Sequence, residues 1–181
     1  PAGLSSKQRC WTLTFSIAEL NEVMRMQRDN RVVRWYPHHL DMCELNEFDA
    51  ANIELFADYK TYLETYANAG LAFSVLDRDG ISAMFGVWQL WPGVCEAWLI
   101  PSADIGRKVV PLHRGSLAFF NHVSKQMKIK RLQFSVHSAN ATACMWAERC
   151  YFEREGTMRS YGPDGADYYM YGRLFDGRYI Q

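Results

Sequence analysis

Apolar and polar residues alternate from residue 10 to residue 16. Trp11, Leu13 and Phe15 fall on one side and Thr12 and Thr14 on the other, the pattern of a half-buried strand. Ser16 with Glu19 reads as a capping box. Ile17, Leu20, Val23, Met24 and Gln27 then recur near helical period as a first helix. Over 31–42 the period breaks, and Pro37 biases Tyr36 away from helix, so an irregular connection is expected. A second helix over 48–67 carries its stripe on Phe48, Phe56, Tyr59, Leu63 and Tyr66, with Gly70 placed to stop it.

The texture then changes to strands. Residues 71–76 and 81–90 flank the turn DRDG, and WPG (91–93) leads into a third strand over 94–100, a meander. A loop follows, then a helix over 111–128 with Leu112, Leu117, Phe120, Val123 and Met127 inward. Residues 131–138 alternate as a strand, 140–150 form a short helix, and strands 152–161 and 166–174 flank the turn GPDG. The expected fold is α+β: one domain over 1–181, about seven strands in a mostly antiparallel mixed sheet, four helices and two right-handed βαβ crossings.

Composition narrows the function classes. Twenty Lys+Arg balance twenty Asp+Glu, so no basic field offers itself to nucleic acid. Five cysteines without a C-x-x-C pair argue against a disulfide framework or a zinc site, and no metal is expected. No apolar run reaches membrane-spanning length and the first fifteen residues form no signal-like core, so a soluble, cytoplasmic protein without a membrane partner is expected. Aromatic residues at 14% exceed what a core alone needs and leave some to line a groove.

The last fifth of the chain carries words as well as a pattern. Val136, Asn140 and Ala143, then Phe152, Glu155, Gly156 and Arg159, then Gly165, Asp167 and Tyr169 match V-x-x-x-N-x-x-A/S, G-F-x-x-E-G-x-x-R and a closing aromatic strand. Residues 136–173 thereby resemble the GNAT superfamily of N-acetyltransferases, in particular the branch that acetylates ribosomal-protein N-termini. The resemblance implies a three-layer acyl-CoA N-acyltransferase fold, acetyl-coenzyme A as co-substrate and a protein or small-molecule amine as acceptor.

It also implies roles. The family's pyrophosphate loop, Q/R-x-x-G-x-G/A, falls on IPSADIGRKVVPLHRGS, where Gly106 and Gly115 remain and Arg107, Lys108 and Arg114 supply charge. Ile100, Ser102, Arg107, Lys108, Arg114, Gly115, Ser116, Asn140 and Trp146 are the coenzyme-binding candidates on this basis. Glu96, the one carboxylate in the strand before the loop, is the candidate base, against the plainer reading as an edge or solvent-facing strand residue. The family's acid, a tyrosine seven residues after the helix Asn, falls on Ala147; Tyr151 is the substitute hydroxyl, with Tyr168 and Tyr169 also near. Asn140 reads both as a pantetheine contact and as a helix cap. His113 and His137 read as surface residues, and Cys144 and Cys150 as packing groups.

The altered loop keeps two other functions open: a non-catalytic GNAT-like structural protein, or a sensor that binds acyl-coenzyme A without turnover. The run AMFGVWQLWPGVCEAWLIPS is similar to tailed-phage virion proteins with a GNAT-like domain, which would imply a virion location and partner. A homo-oligomer fits any of the three.

Overall fold

The computed structural model describes residues 15–26 and 29–175. The strand expected over 10–16 lies almost wholly outside them. Helix α1, Ile17–Val23, starts at Ser16, whose side chain makes no capping bond, so the expected capping box is not formed. The turn is held instead by Asn21, which accepts from Val32 N–H at 2.8 Å and donates to Val32 O at 3.2 Å. That bond pair fastens α1 to strand β1, Arg31–Arg34, a segment expected to be irregular. RVVR is too short to announce itself by alternation. Its strand state comes from pairing with β2, Gly70–Asp77, from Arg31 opposite Leu76 to Arg34 opposite Phe73.

A 3-10 turn, Pro37–His39, leads to α2, Glu47–Leu55, and α3, Tyr59–Ala69. The single helix expected over 48–67 is therefore two, and the described helices number five. Phe56 breaks it with extended backbone (φ −123°, ψ 93°). The break separates a helix with no buried residue from one that seats Leu63 in a core, so the two halves answer to different surfaces.

Strands β3, Gly80–Trp91, and β4, Val94–Pro101, complete the meander. A second 3-10 turn, Ile105–Lys108, runs into α4, Val109–Gln126. Then come β5, Arg131–His137, α5, Ala141–Arg149, β6, Glu153–Met158, and β7, Tyr168–Leu174. The sheet order is β1-β2-β3-β4-β5-β7-β6. Only β4 and β5 are parallel neighbours among the described strands. The crossing from β5 through α5 reaches β6 with β7 inserted between them, antiparallel to both.

Helices cover both faces of the sheet. One core joins Phe73, Phe85, Phe119, Phe120, Phe134 and Phe152 beneath α1, α4 and α5. The other joins Trp35, Leu63, Met84 and Ile100 beneath α3. Gly86 permits this second layer to close: a Cβ there would stand 2.4 Å from Leu71 O and 2.5 Å from the Trp98 indole nitrogen. Among the described residues, no helix is long and apolar enough to cross a membrane.

Candidate functional site

Strands β4 and β5 pair only over Val94–Arg131, Cys95–Leu132 and Glu96–Gln133. Beyond that point β4 stays with β3 as far as Pro101, and β5 stays with β7 as far as His137. Each strand follows its other neighbour, so the two part and a cleft of about 1290 Å³ opens through the sheet. Along an antiparallel ladder a residue sends its N–H and C=O to one side and the next residue sends them to the other. Ser102 N–H bonds Ser82 O at 3.0 Å, so Ser102, Ile100 and Trp98 turn their amides to β3. Leu99 turns its amide to the gap.

This parity corrects two expected coenzyme contacts. Ile100 has its amide on β3 and its side chain in the second core. Ser102 is buried and its hydroxyl donates to Asp104 at 2.6 Å. Lys108 is likewise occupied, with its ammonium 2.6 Å from Asp77, 3.4 Å from Asp104 and 3.6 Å from Asp79. Hydrogen bonding to Asp77 raises the lysine pKa. Burial opposes ionisation of Asp77, but the Lys108 bond and the Asp79 amide outweigh it and hold the carboxyl below its usual range. The side chain of Arg107 lies outside the described residues.

Ile100, Ser102 and Lys108 line the cleft all the same, and so do the remaining described coenzyme candidates. Arg114 is exposed on α4, lines the cleft and has no ion-pair partner among the described residues. Gly115 and Ser116 are buried in the same turn, the Ser116 hydroxyl donating to Leu112 O at 2.8 Å. Asn140 lines the cleft as the N-cap of α5, accepting from Ala143 N–H at 3.0 Å. Trp146 also lines it, and its indole N–H, like that of Trp98, is buried without an acceptor among the described residues.

Tyr151 does not reach it. It follows α5 with φ 64°, where the family word has glycine, and its N–H bonds Glu148 O while Phe152 N–H bonds Ala147 O. That is the helix-ending motif that favours a left-handed residue. The ring lies under the Arg173 guanidinium, away from the cleft. Tyr169 is also elsewhere, packed against the first core with Arg154 over its ring.

Glu96 stands where the strands separate. Cys95, Ala97 and Leu99 join the first core, so Glu96 shares the α3 face with Trp98 and Ile100. Burial raises its pKa, and a hydrogen bond with Gln133 partly offsets the rise. Around it lie groups that the sequence did not single out for chemistry. Tyr62 and Tyr161 stand close enough to Glu96 for its charge to raise their pKa values, after burial, and Tyr161 is hydrogen-bonded to Ser135 across the gap. Asp49, in the first turn of α2, also lines the cleft; burial pushes its carboxyl up to about 6 despite the bond from Asn46. An acid there reads in sequence as helix-start chemistry, which conceals its second environment.

His137 proves to be partnered. Its Nε2 lies 3.2 Å from Asp164 and its Nδ1 accepts from Ala139 N–H at 3.1 Å, so the Asp164 contact uses Nε2–H in the neutral ring. His113 touches Cys150 sulfur at 3.5 Å, and burial pushes that thiol up to about 12. Cys150 therefore packs, as expected.

No protein-family model matches the chain, and no curated protein matches it in sequence. Solved structures do. It is similar to the GNAT-family acetyltransferase from Bacillus anthracis, with TM-score 0.61 and 15% identity over 81% of this chain and 95% of that one. Ribosomal L7/L12 alpha-N-protein acetyltransferase RimL, in complex with coenzyme A, gives TM-score 0.60 and 11% identity over 83% and 96%. The microcin C7 self-immunity acetyltransferase MccE, in complex with acetyl-CoA and AMP, gives 0.60 and 13% over 82% and 93%. None of these carries the phage likeness. Seven strands with β4 and β5 parted between two helical layers give this chain the GNAT acyltransferase fold.

Proposed function

We propose that this protein is an acetyl-coenzyme A-dependent N-acetyltransferase acting on an amine. The observation that carries the proposal is the end of β4–β5 pairing at Glu96, which leaves a free strand edge and a carboxylate at one opening. The residues present fit the coenzyme. Leu99 offers an N–H and a C=O to its amide arm. The amino end of α4, with Arg114 beside it, suits a diphosphate. The orphaned Trp146 N–H awaits an acceptor on the same side. RimL with coenzyme A and MccE with acetyl-CoA support the reading by fold.

The coenzyme supplies a thioester carbon for the amine to attack. The residues do the rest. Glu96 takes the proton that the acceptor ammonium must lose, directly or through a water, so that the amine lone pair is free to form the new N–C bond. The Leu99 N–H is the donor available to the thioester oxygen as negative charge gathers there. As the C–S bond breaks, the sulfur takes a proton, and Tyr161, held by Ser135, replaces Tyr151 as the candidate hydroxyl. A phenol, whose ordinary pKa is about 10, carries that proton at neutral pH.

The test combines melting with thiol release. Acetyl-coenzyme A is expected to raise the melting temperature saturably, and a panel of primary amines to release thiol at a rate proportional to enzyme. No melting shift would return the fold to a structural role, and a shift without release from any amine would make it a sensor. The engaged Ser102 and Lys108, two coenzyme candidates that meet protein carboxylates instead, are the observations that favour the structural role as second reading.

A further inference from the structure

The cleft divides its charges between the two faces of the sheet. The Lys and Arg side chains that line it among the described residues are Arg25, just past α1, Lys108, at the end of the 3-10 turn before α4, and Arg114, in the amino half of α4. The α3 face has none. It has Asp49 and Glu96, with the exposed Glu47 at the start of α2, walled by Tyr59, Tyr62, Tyr66, Trp88, Tyr161 and Tyr168. The rings form two groups: Tyr62–Tyr66 and Tyr66–Trp88 each at 4.5 Å with Tyr59–Tyr62 at 6.2 Å, and Tyr161–Tyr168 at 5.5 Å between centroids. Asn52 hydrogen-bonds both Tyr59 and Tyr168, tying α2 to β7 across the floor. The imidazole on this face, His137, is held by Asp164.

We infer that the acceptor is a small alkyl diamine whose reacting nitrogen lies at Glu96 and whose second ammonium is held by Asp49 among the phenol rings. The inference rests on the acetyl-transfer reading of the same cleft and adds the acceptor's class. Two partly buried carboxylates on a face that shows no Lys or Arg among the described residues each gain from an incoming positive charge, and a ligand carrying two such charges serves both at once. Electron-rich ring faces attract ammonium groups and repel carboxylates, so the walls reinforce the selection. Burial has already raised the Asp49 carboxyl to about 6, the state of a group that gains most from an incoming cation. The β6–β7 turn roofs the face through Tyr161 to Ser135 and Asp164 to His137, which favours a small acceptor over a folded protein surface.

The test compares diaminobutane, butylamine and aminobutanoate as acceptors with acetyl-coenzyme A saturating. The expected kcat/KM falls in that order, by about tenfold between the first two, the worth of one charge-assisted contact. Asp49→Asn is expected to bring the diamine down to the level of butylamine while butylamine itself changes by less than about threefold. Equal use of the three, preference for aminobutanoate, or an equal slowing of all three in Asp49→Asn would overturn the inference. If no amine turns over, calorimetry with diaminobutane alone decides. Saturable binding weakened in Asp49→Asn upholds the inference, and absence of binding sinks it. A melting shift with acetyl-coenzyme A in the same preparation is read separately, so loss of the diamine site and loss of the coenzyme reading remain distinct.

Discussion

The two faces of the parted strands treat charge in opposite ways. At the amino end of α4, Lys108 is surrounded by Asp77, Asp79 and Asp104, and Arg114 has no ion-pair partner among the described residues. On the α3 face, Asp49 and Glu96 stand among phenols without a protein cation. The first face has paired its lysine internally; the second holds carboxylates that no Lys or Arg meets among the described cleft residues. Costly arrangements persist where function retains them, which is why the proposed acceptor is seated on the α3 face.

The largest effect is expected from Glu96→Gln. A well-placed base contributes on the order of 10² to 10⁴ in rate, so kcat should fall by at least about a hundredfold with little change in coenzyme affinity. Wild-type rate should rise with pH through the elevated Glu96 pKa, and that limb should vanish in the variant. A pH–rate profile of unchanged shape would remove Glu96 from the chemistry.

Lys108→Met probes the first face. It leaves Asp77, whose side chain is 5% exposed, without its counter-ion, and removing one partner of such a pair costs roughly 3 kcal/mol. The Asp77 pKa is depressed in the folded state, so its contribution is present at neutral pH and lost as pH falls through the folded value. Urea unfolding at neutral and acidic pH should show the variant weakened at the first and closer to wild type at the second. Coenzyme affinity should stay within about twofold, since the lysine already has its anions. A loss of affinity larger than the loss of stability would return Lys108 to the cradle.

Asp49→Asn should move stability the other way. Its folded pKa of about 6 lies above the model-compound value of 3.8, so the folded state holds a proton that the unfolded state releases. Stability from this group therefore falls as pH rises from about 4 to about 6, and the cost persists above that window. A shift of about two units corresponds to no more than ~3 kcal/mol, less what solvent at a half-buried group screens. Asparagine removes that cost, and the variant should be more stable than wild type by about 1–2 kcal/mol at pH 7 and equal to it near pH 4. Higher stability combined with lost diamine selectivity would mark Asp49 as a site residue. Lower stability would make it a structural acid of α2.

What the sequence made legible follows from how far apart the deciding contacts lie. The meander over 71–100 alternates along the chain, and its turns DRDG and WPG are local, so both survive into β2, β3 and β4. RVVR did not show itself because its partner, β2, is some forty residues away. Glu96, Arg114, Asn140 and Trp146 all line the cleft, and Asn140, the N-cap of α5, is the one of them that the family words V-x-x-x-N-x-x-A/S fix. Tyr161 and Asp49 are carried in by the β6–β7 turn and by the break at Phe56, neither of which has a periodic signature. The exchange of Ile100 for Leu99 is a matter of strand parity, which the chain leaves open until β3 pairs with it.

The smallest effect is expected from Arg114→Ala. The guanidinium is solvent-exposed, so a contact with a diphosphate is partly screened and worth about 1.4 kcal/mol, or tenfold in affinity for acetyl-coenzyme A. Screening also supplies the sharper readout. Calorimetric titration at low and at high salt should show wild-type affinity falling with salt and the variant falling less, because the charge that salt weakens has been removed. Combined with Lys108→Met, the two substitutions should add within about 0.5 kcal/mol if the caged lysine takes no part. Strong coupling between them would mean that the carboxylate cage opens when the coenzyme arrives, and the contrast between the two faces would hold only for the empty cleft.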